Sequence, residues 1–180
     1  MLDGTLRKVV LYIATSLDGY IADKEGKVDW LVPTGAEEDT SYEDFYAQVD
    51  TVIMGRTTYD QVVTELSPTH YPYEDVTSYI MTHESRASEG AVHFTDEAVV
   101  SLVQRLRKQP GGTIWLVGGA SSIQPLVSAN LIDEYQIATM PIILGEGIRL
   151  FTTDTRVALR AVKSYEKNGL IYSTYARTEG

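Results

Sequence analysis

The chain contains no cysteine, which excludes a disulfide framework, a thiolate metal site and a cysteine nucleophile. No hydrophobic run approaches the ~20 apolar residues that a membrane-spanning helix needs. There is no internal repeat, no low-complexity tract and no Pro/Gly/Ser-rich linker that would separate domains. No secretory signal is evident, which supports a cytoplasmic address. Positive charge is also scarce: 25 acidic residues against 15 basic ones leave a net charge of −10. Such a chain repels phosphate backbones, so neither nucleic acid nor an anionic membrane is an expected partner.

What is present is a globular composition, 43% apolar over 180 residues. That length suits one domain, read here as residues 1–180 with a core over 8–176. The charge is unevenly spread: residues 1–75 hold 15 acids and 5 bases, whereas residues 76–180 hold 10 of each. Much of the excess lies in residues 23–50, where nine acids face only Lys24 and Lys27.

Short β-branched runs alternate with helical spacing. Strands are expected at Val9 to Ala14, Thr51 to Met54, Ser78 to Met81, Ala91 to Phe94 and Thr113 to Val117. Further strands are expected at Glu134 to Met140, Val157 to Ser164 and Leu170 to Ala176. Tyr42, Phe45, Tyr46 and Val49 share one helical face, as do Tyr59, Val62, Val63 and Leu66. Ala98, Val99, Leu102 and Leu106 form a third such face after Thr95, a candidate N-cap, and this helix stops at Pro110-Gly111-Gly112. A fourth helix starts after Gly118-Gly119 and carries Ile123, Leu126 and Val127. Alternation followed by late strands without helices implies an α/β fold, mostly parallel, with antiparallel strands at its end.

Two strands end in glycine where a helix should begin. In Met54-Gly55-Arg56-Thr57-Thr58 a bare backbone is followed by a guanidinium and two hydroxyls, groups that suit a phosphate. In Val117-Gly118-Gly119-Ala120-Ser121-Ser122 paired glycines let a ligand approach the backbone. Either alone could be a simple turn; two on parallel strands point to a ligand at their carboxyl ends. Thr82-His83-Glu84-Ser85-Arg86 ends a third strand with hydroxyls, an imidazole and a cation, and reads either as a ribose or 2′-phosphate contact or as a solvated loop. No G-x-G-x-x-G or Walker sequence occurs. His70, His83 and His93 lack metal-ligand spacing, so no metal site is expected, and Ser16 and Ser121 lack the setting of a nucleophile elbow.

Taken in order, Ser16-Leu17-Asp18-Gly19-Tyr20-Ile21-Ala22, Ile53-Met54-Gly55-Arg56-Thr57-Thr58-Tyr59, Leu116-Val117-Gly118-Gly119-Ala120 and Pro141-Ile142-Ile143-Leu144-Gly145-Glu146-Gly147-Ile148-Arg149-Leu150-Phe151 resemble the dihydrofolate-reductase-like fold. Within it they resemble the family of the RibD C-terminal domain, the reductase of riboflavin biosynthesis. The resemblance implies a three-layer fold with helices on both faces of a mostly parallel sheet. It also implies NADPH as cofactor. Gly55, Arg56, Thr57 and Thr58 would take its phosphates, with Thr82, His83 and Arg86 around the adenosine side. Val117, Gly118, Gly119, Ala120, Ser121 and Ser122 would cover the pyrophosphate, the two glycines joined by a cis peptide. Ala14 and Ile21 would flank the nicotinamide, and residues 15–27 would form a mobile lid.

The same resemblance implies a carboxylate on the first helix for proton supply. Asp39, sixteen residues before Gly55, is the candidate, and it also has the chemistry of an N-cap. Trp30 and Tyr42 would line the substrate side or sit in the core. The implied activity is hydride transfer to a pterin-, pyrimidine- or flavin-like heterocycle, similar to 5-amino-6-(5-phosphoribosylamino)uracil reductase. A true dihydrofolate reductase and a nucleotide-binding module without turnover are the alternatives. Relatives commonly pair, so a homodimer is expected, with Ile142, Ile143, Leu150 and Phe151 as candidate contact residues or as core.

Overall fold

Successive side chains of a strand point to opposite faces, so an apolar run such as Val9-Val10-Leu11 needs cover on both sides. The computed structural model, which describes residues 5–179, supplies it. Along the chain run β1 (Val9–Ser16), β2 (Tyr20–Ala22), α1 (Ser41–Tyr46), β3 (Val49–Gly55) and α2 (Arg56–Gln61), which continues as a π-helical turn (Val62–Leu66). Then follow β4 (Thr77–Met81), β5 (Val92–Thr95), α3 (Val99–Leu106), β6 (Thr113–Gly118) and α4 (Ala120–Ser128). The chain ends in β7 (Glu134–Met140), β8 (Ile148–Arg149), β9 (Leu159–Lys167) and β10 (Leu170–Arg177).

Eight strands form one sheet in the order β5-β4-β3-β6-β1-β7-β10-β9. Pairing is parallel from β5 to β7 and antiparallel from β7 through β10 to β9. One face packs Val9, Leu11, Ile53, Ile114, Leu116 and Tyr135 against α3 and α4. The other packs Val10, Val52, Met54 and Trp115 against Phe45 of α1 and Val62 of the π-turn. This is the α/β three-layer arrangement, helices on both faces, that the motif order implied. Among the described residues no helix is long and apolar enough to cross a membrane.

Local details differ from expectation in instructive ways. Val49 has helical spacing from Tyr42 but opens β3, buried; α1 stops at Tyr46. Leu66 was expected on the buried face of its helix, yet it is 57% exposed, because the π-turn widens the helical step and rotates the residues after it. Thr95 does not cap α3, whose N-cap is Ala98; its hydroxyl accepts the Glu97 N–H at 3.1 Å instead. The ninth strand begins at Leu159, not Val157. Leu150, a candidate contact residue, lies in the core, whereas Ile143 and Phe151 are exposed.

Candidate functional site

The strand order sets β3, β6 and β1 side by side, so their carboxyl ends open at one place. Gly55 ends β3 and Gly118 ends β6. A Cβ on Gly55 would lie 3.2 Å from the Ser122 hydroxyl and 3.7 Å from the Gly119 nitrogen. One on Gly119 would lie 3.3 Å from the Thr58 hydroxyl. The glycines therefore leave bare a cleft that side chains would fill, edged by the hydroxyls of Thr58 and Ser122. The peptide between Gly118 and Gly119 is cis, and Gly118 holds φ at +145°, a value that L side chains rarely adopt. Val117 is half-buried on the α1 side, while Ala120 opens α4 and Ser121 and Thr57 are exposed at the starts of α4 and α2.

Around this cleft the cations are already engaged. Arg56 pairs through Nη1 with the Glu84 carboxylate and through Nε with Asp60 at 3.2 Å. Arg86 lies 4.3 Å above the Phe94 ring and 4.0 Å from Asp60. Thr82 is buried just past β4, its hydroxyl accepting the Glu84 N–H at 3.1 Å, and His83 beside it is exposed. Bare backbone, hydroxyls and guanidinium groups form a donor set that fits the phosphates of a dinucleotide.

On the α1 face a cavity of about 310 Å³ opens over β1, β7, β10 and β9. Tyr12, Ser41, Phe45, Gln136, Ala138, Lys163, Tyr165, Tyr172 and Thr174 line it, among others. Tyr12 stacks on Phe45 at 4.5 Å and Tyr165 on Tyr172 at 5.1 Å. Ala14 pairs across β1 and β7 with Ala138, which lines the cavity. Ile21, expected beside Ala14, packs instead against the core on the α3/α4 side.

Asp39 lies at the edge of this cavity. Its carboxylate accepts the Ser41 N–H at 2.9 Å, but the N-cap of α1 is Thr40, so Asp39 fixes a turn just ahead of the helix rather than capping it. It also accepts hydrogen bonds from the Ser41 and Tyr172 hydroxyls, with Lys167 nearby. These donors, the Ser41 hydroxyl first, hold its carboxyl below the usual carboxylate range. The same donors favour the charged form of Asp39, which accepts hydrogen bonds rather than donating one. Burial pushes the Tyr172 phenol up to about 12, and the Asp39 charge adds to this. Burial likewise raises Tyr12, which hydrogen-bonds to Ser41. Trp30 and Tyr42 do not line the cavity. Trp30 donates its indole N–H to the Lys27 carbonyl at 3.1 Å, and Tyr42 joins Tyr46 and Trp115 in an aromatic cluster.

The segment expected to be a mobile lid is anchored at its stem. The Asp18 carboxylate accepts the Ser16 hydroxyl at 2.7 Å and the N–H groups of Leu144 and Gly145 at 3.1 and 2.9 Å. β2 pairs with β8. Two sequence motifs more than a hundred residues apart thus recognise each other through one aspartate.

The sheet order, with glycines ending β3 and β6, defines a protein of the dihydrofolate-reductase-like fold. The chain belongs to the RibD C-terminal domain family, whose model matches residues 7–169. It is similar to the protein YwjB of Bacillus subtilis (strain 168), with 41% identity over 163 residues covering 88% of this chain and 92% of that one. A structure from Shewanella sp. PV-4, provisionally described as a riboflavin biosynthesis protein, superposes with a TM-score of 0.78 at 30% identity. That match covers 96% of this chain and 99% of the other. Dihydrofolate reductase from Enterococcus faecalis, complexed with NADP(H), shares the fold at TM-score 0.71 and 17% identity, over 97% of this chain and 99% of its own.

The sequence reading missed Tyr12, Tyr165 and Tyr172. Tyr12 sits in a strand that reads as a continuous apolar run and Tyr172 in one that mixes apolar residues with Ser173 and Thr174, and only the pairing of β1, β7, β10 and β9 turns them towards one cavity.

Proposed function

We propose that the chain is an NADPH-dependent reductase that transfers a hydride to a pterin-, pyrimidine- or flavin-like heterocycle. One observation carries this reading: the sheet order sets β1, whose Val10 and Tyr12 line the cavity, beside β6 and next but one to β3, the two strands that end in glycine. When bound, the dinucleotide supplies the hydride. The chain does the rest. Gly55, Gly118 and Gly119 let phosphates reach the backbone, with Thr58, Ser122 and Arg56 as donors. Ala14 and Ala138 allow a flat ring to lie against the sheet, and the tyrosines exclude water from the ring facing it.

Asp39, in this reading, is a positioning residue. It draws the protons of Tyr172 and Ser41 towards itself, so the Tyr172 oxygen offers its lone pair to the cavity. A heterocycle bearing ring N–H groups satisfies that acceptor. The family assignment and the Shewanella relative support the riboflavin-related choice of substrate.

The test is a fluorescence titration with NADPH followed by oxidation assays against a panel of aminopyrimidines, dihydrofolate and flavins. Saturable binding and oxidation with an N–H-bearing ring are expected. No binding would end the proposal, and binding without turnover on any ring would favour the non-catalytic module. Turnover confined to dihydrofolate would favour a true dihydrofolate reductase.

A further inference from the structure

The mouth of the cleft is charge-matched before any ligand arrives. Arg56 follows Gly55 directly, and its guanidinium is held by Glu84 on one side and by Asp60 at 3.2 Å on the other. Arg86 shares Asp60 at 4.0 Å and lies over Phe94 at 4.3 Å. Two cations therefore face two carboxylates. Glu84 is not there by chance of a floppy loop: its N–H is bonded to the buried Thr82, which sets it just past β4. A dinucleotide phosphorylated at the ribose 2′-oxygen brings about −1.5 to −2 further charges to such a place. It can engage Arg56 only by displacing Glu84 or lying against it. A ribose with a free 2′-hydroxyl meets the opposite situation, because a carboxylate accepts its hydrogen bond.

We propose that Glu84 is a selectivity residue whose carboxylate competes with the 2′-phosphate for Arg56, so that this site accepts NADH alongside NADPH. The inference rests on the dinucleotide reading above and adds to it the identity of the dinucleotide. Asp60 differs from Glu84 in being shared between two cations, Arg56 at 3.2 Å and Arg86 at 4.0 Å.

The test is equilibrium binding, independent of turnover. Dissociation constants are measured for NADPH and NADH, and for 2′,5′-ADP and 5′-AMP as probes of the adenosine end. The proteins are the wild type, Glu84→Gln, Arg56→Gln, the double variant and Glu65→Gln as an exposed charge control. Wild type is expected to bind both dinucleotides within about tenfold of each other, and Glu84→Gln to tighten NADPH and 2′,5′-ADP by about fivefold while NADH and 5′-AMP move less than about twofold. In the double variant that gain disappears, and Glu65→Gln shows none. A wild-type preference for NADPH beyond about a hundredfold overturns the proposal, as does a Glu84→Gln effect equal on both dinucleotides or absent from both. Failure of the wild type to bind either dinucleotide overturns the underlying reading, and the proposal with it.

Discussion

Asp39 shows how one carboxylate can be read three ways: as a helix cap, an acid catalyst or an orienting group. The Ser41 N–H makes it the anchor of a turn ahead of α1, whose N-cap is Thr40, and the hydroxyls of Ser41 and Tyr172 make it an orienting anion. Its depressed carboxyl has a stability consequence with a definite sign. A group whose folded pKa is lowered stabilises the fold above its unfolded value, near 3.9, and the contribution is lost as pH falls through the folded value. Wild type should therefore exceed Asp39→Asn in urea midpoint at pH 7, and the gap should close as pH falls below the unfolded value. A gap that stays constant would mean that the charge is irrelevant. The same variant should lower the Tyr172 phenol from about 12, since the neighbouring anion that opposes its ionisation is gone. Site-labelled tyrosine resonances followed through alkaline titration would read this. Tyr172→Phe should reduce turnover of an N–H-bearing ring about tenfold or more by removing an oriented polar group, while leaving dinucleotide affinity within about twofold. Equal losses in both would place Tyr172 in the scaffold rather than at the substrate.

At the scale of elements, the acidic loop leading into α1 owes its position to the hairpin of β9 and β10. The Asn168 side chain clasps Glu37 from both sides, accepting its N–H and donating to its carbonyl at 2.9 Å each. The Thr34 N–H bonds to the Asn168 carbonyl at 3.0 Å. Asn168 and Gly169 form a two-residue turn with φ of 54° and 85°, the conformation for which Asn-Gly is favoured. A Cβ on Gly169 would fall 2.2 Å from the Thr34 hydroxyl, whereas one on Gly145, at φ +80°, would meet nothing within 4 Å. Gly145→Ala should thus cost only the left-handed conformation, about 1–2 kcal/mol, and Gly169→Ala at least about 1 kcal/mol more from overpacking. Hydrogen exchange at Glu37 should quicken in the second variant alone. Equal costs, read from urea denaturation, would mean that the loop does not lean on the hairpin. Asn168-Gly169 is a hairpin signal open to sequence reading; its grip on residue 37 is not, because it spans 131 positions. Likewise the apolar runs of β1, β3 and β6 and the terminal glycines of β3 and β6 were legible, since both are local. The end of α1 before Val49 and the rotation of Leu66 were not, because strand pairing and a π-turn overrode good helical spacing.

The whole molecule carries its excess of negative charge on one stretch, and the structure leaves that stretch largely in water. Glu37, Glu38, Glu43 and Asp44 are all exposed. The two lysines of the stretch are spent on other partners or neighbours: Lys24 meets Glu146 at 3.1 Å and Lys27 meets Glu25 at 3.8 Å. Asp50 is matched by Arg7, a buried side chain fixed also by the Gly112 carbonyl, so it belongs to the frame rather than to the excess. Like charges held together in the folded state but spread apart in the unfolded one oppose folding, and salt weakens that opposition over a Debye length of about 8–10 Å. Raising sodium chloride from 20 to 300 mM should therefore stabilise the protein by about 1 kcal/mol, a rise of roughly 2–4 °C in Tm for a chain of this size. Glu37→Gln with Glu38→Gln should raise Tm at low salt and flatten its dependence on salt. Substitution of Asp96, exposed at the other end of the sequence's charge distribution, should do neither. The calorimetric series also needs the mass of the species by light scattering at each salt concentration, because Ile143 and Phe151 are exposed apolar side chains that a second copy would cover. Screening that stabilised a dimer by association would make Tm depend on protein concentration. Screening within one chain would leave Tm independent of concentration, and a Tm that falls with salt would show that attractive pairs, not the acidic stretch, dominate the electrostatics of the fold.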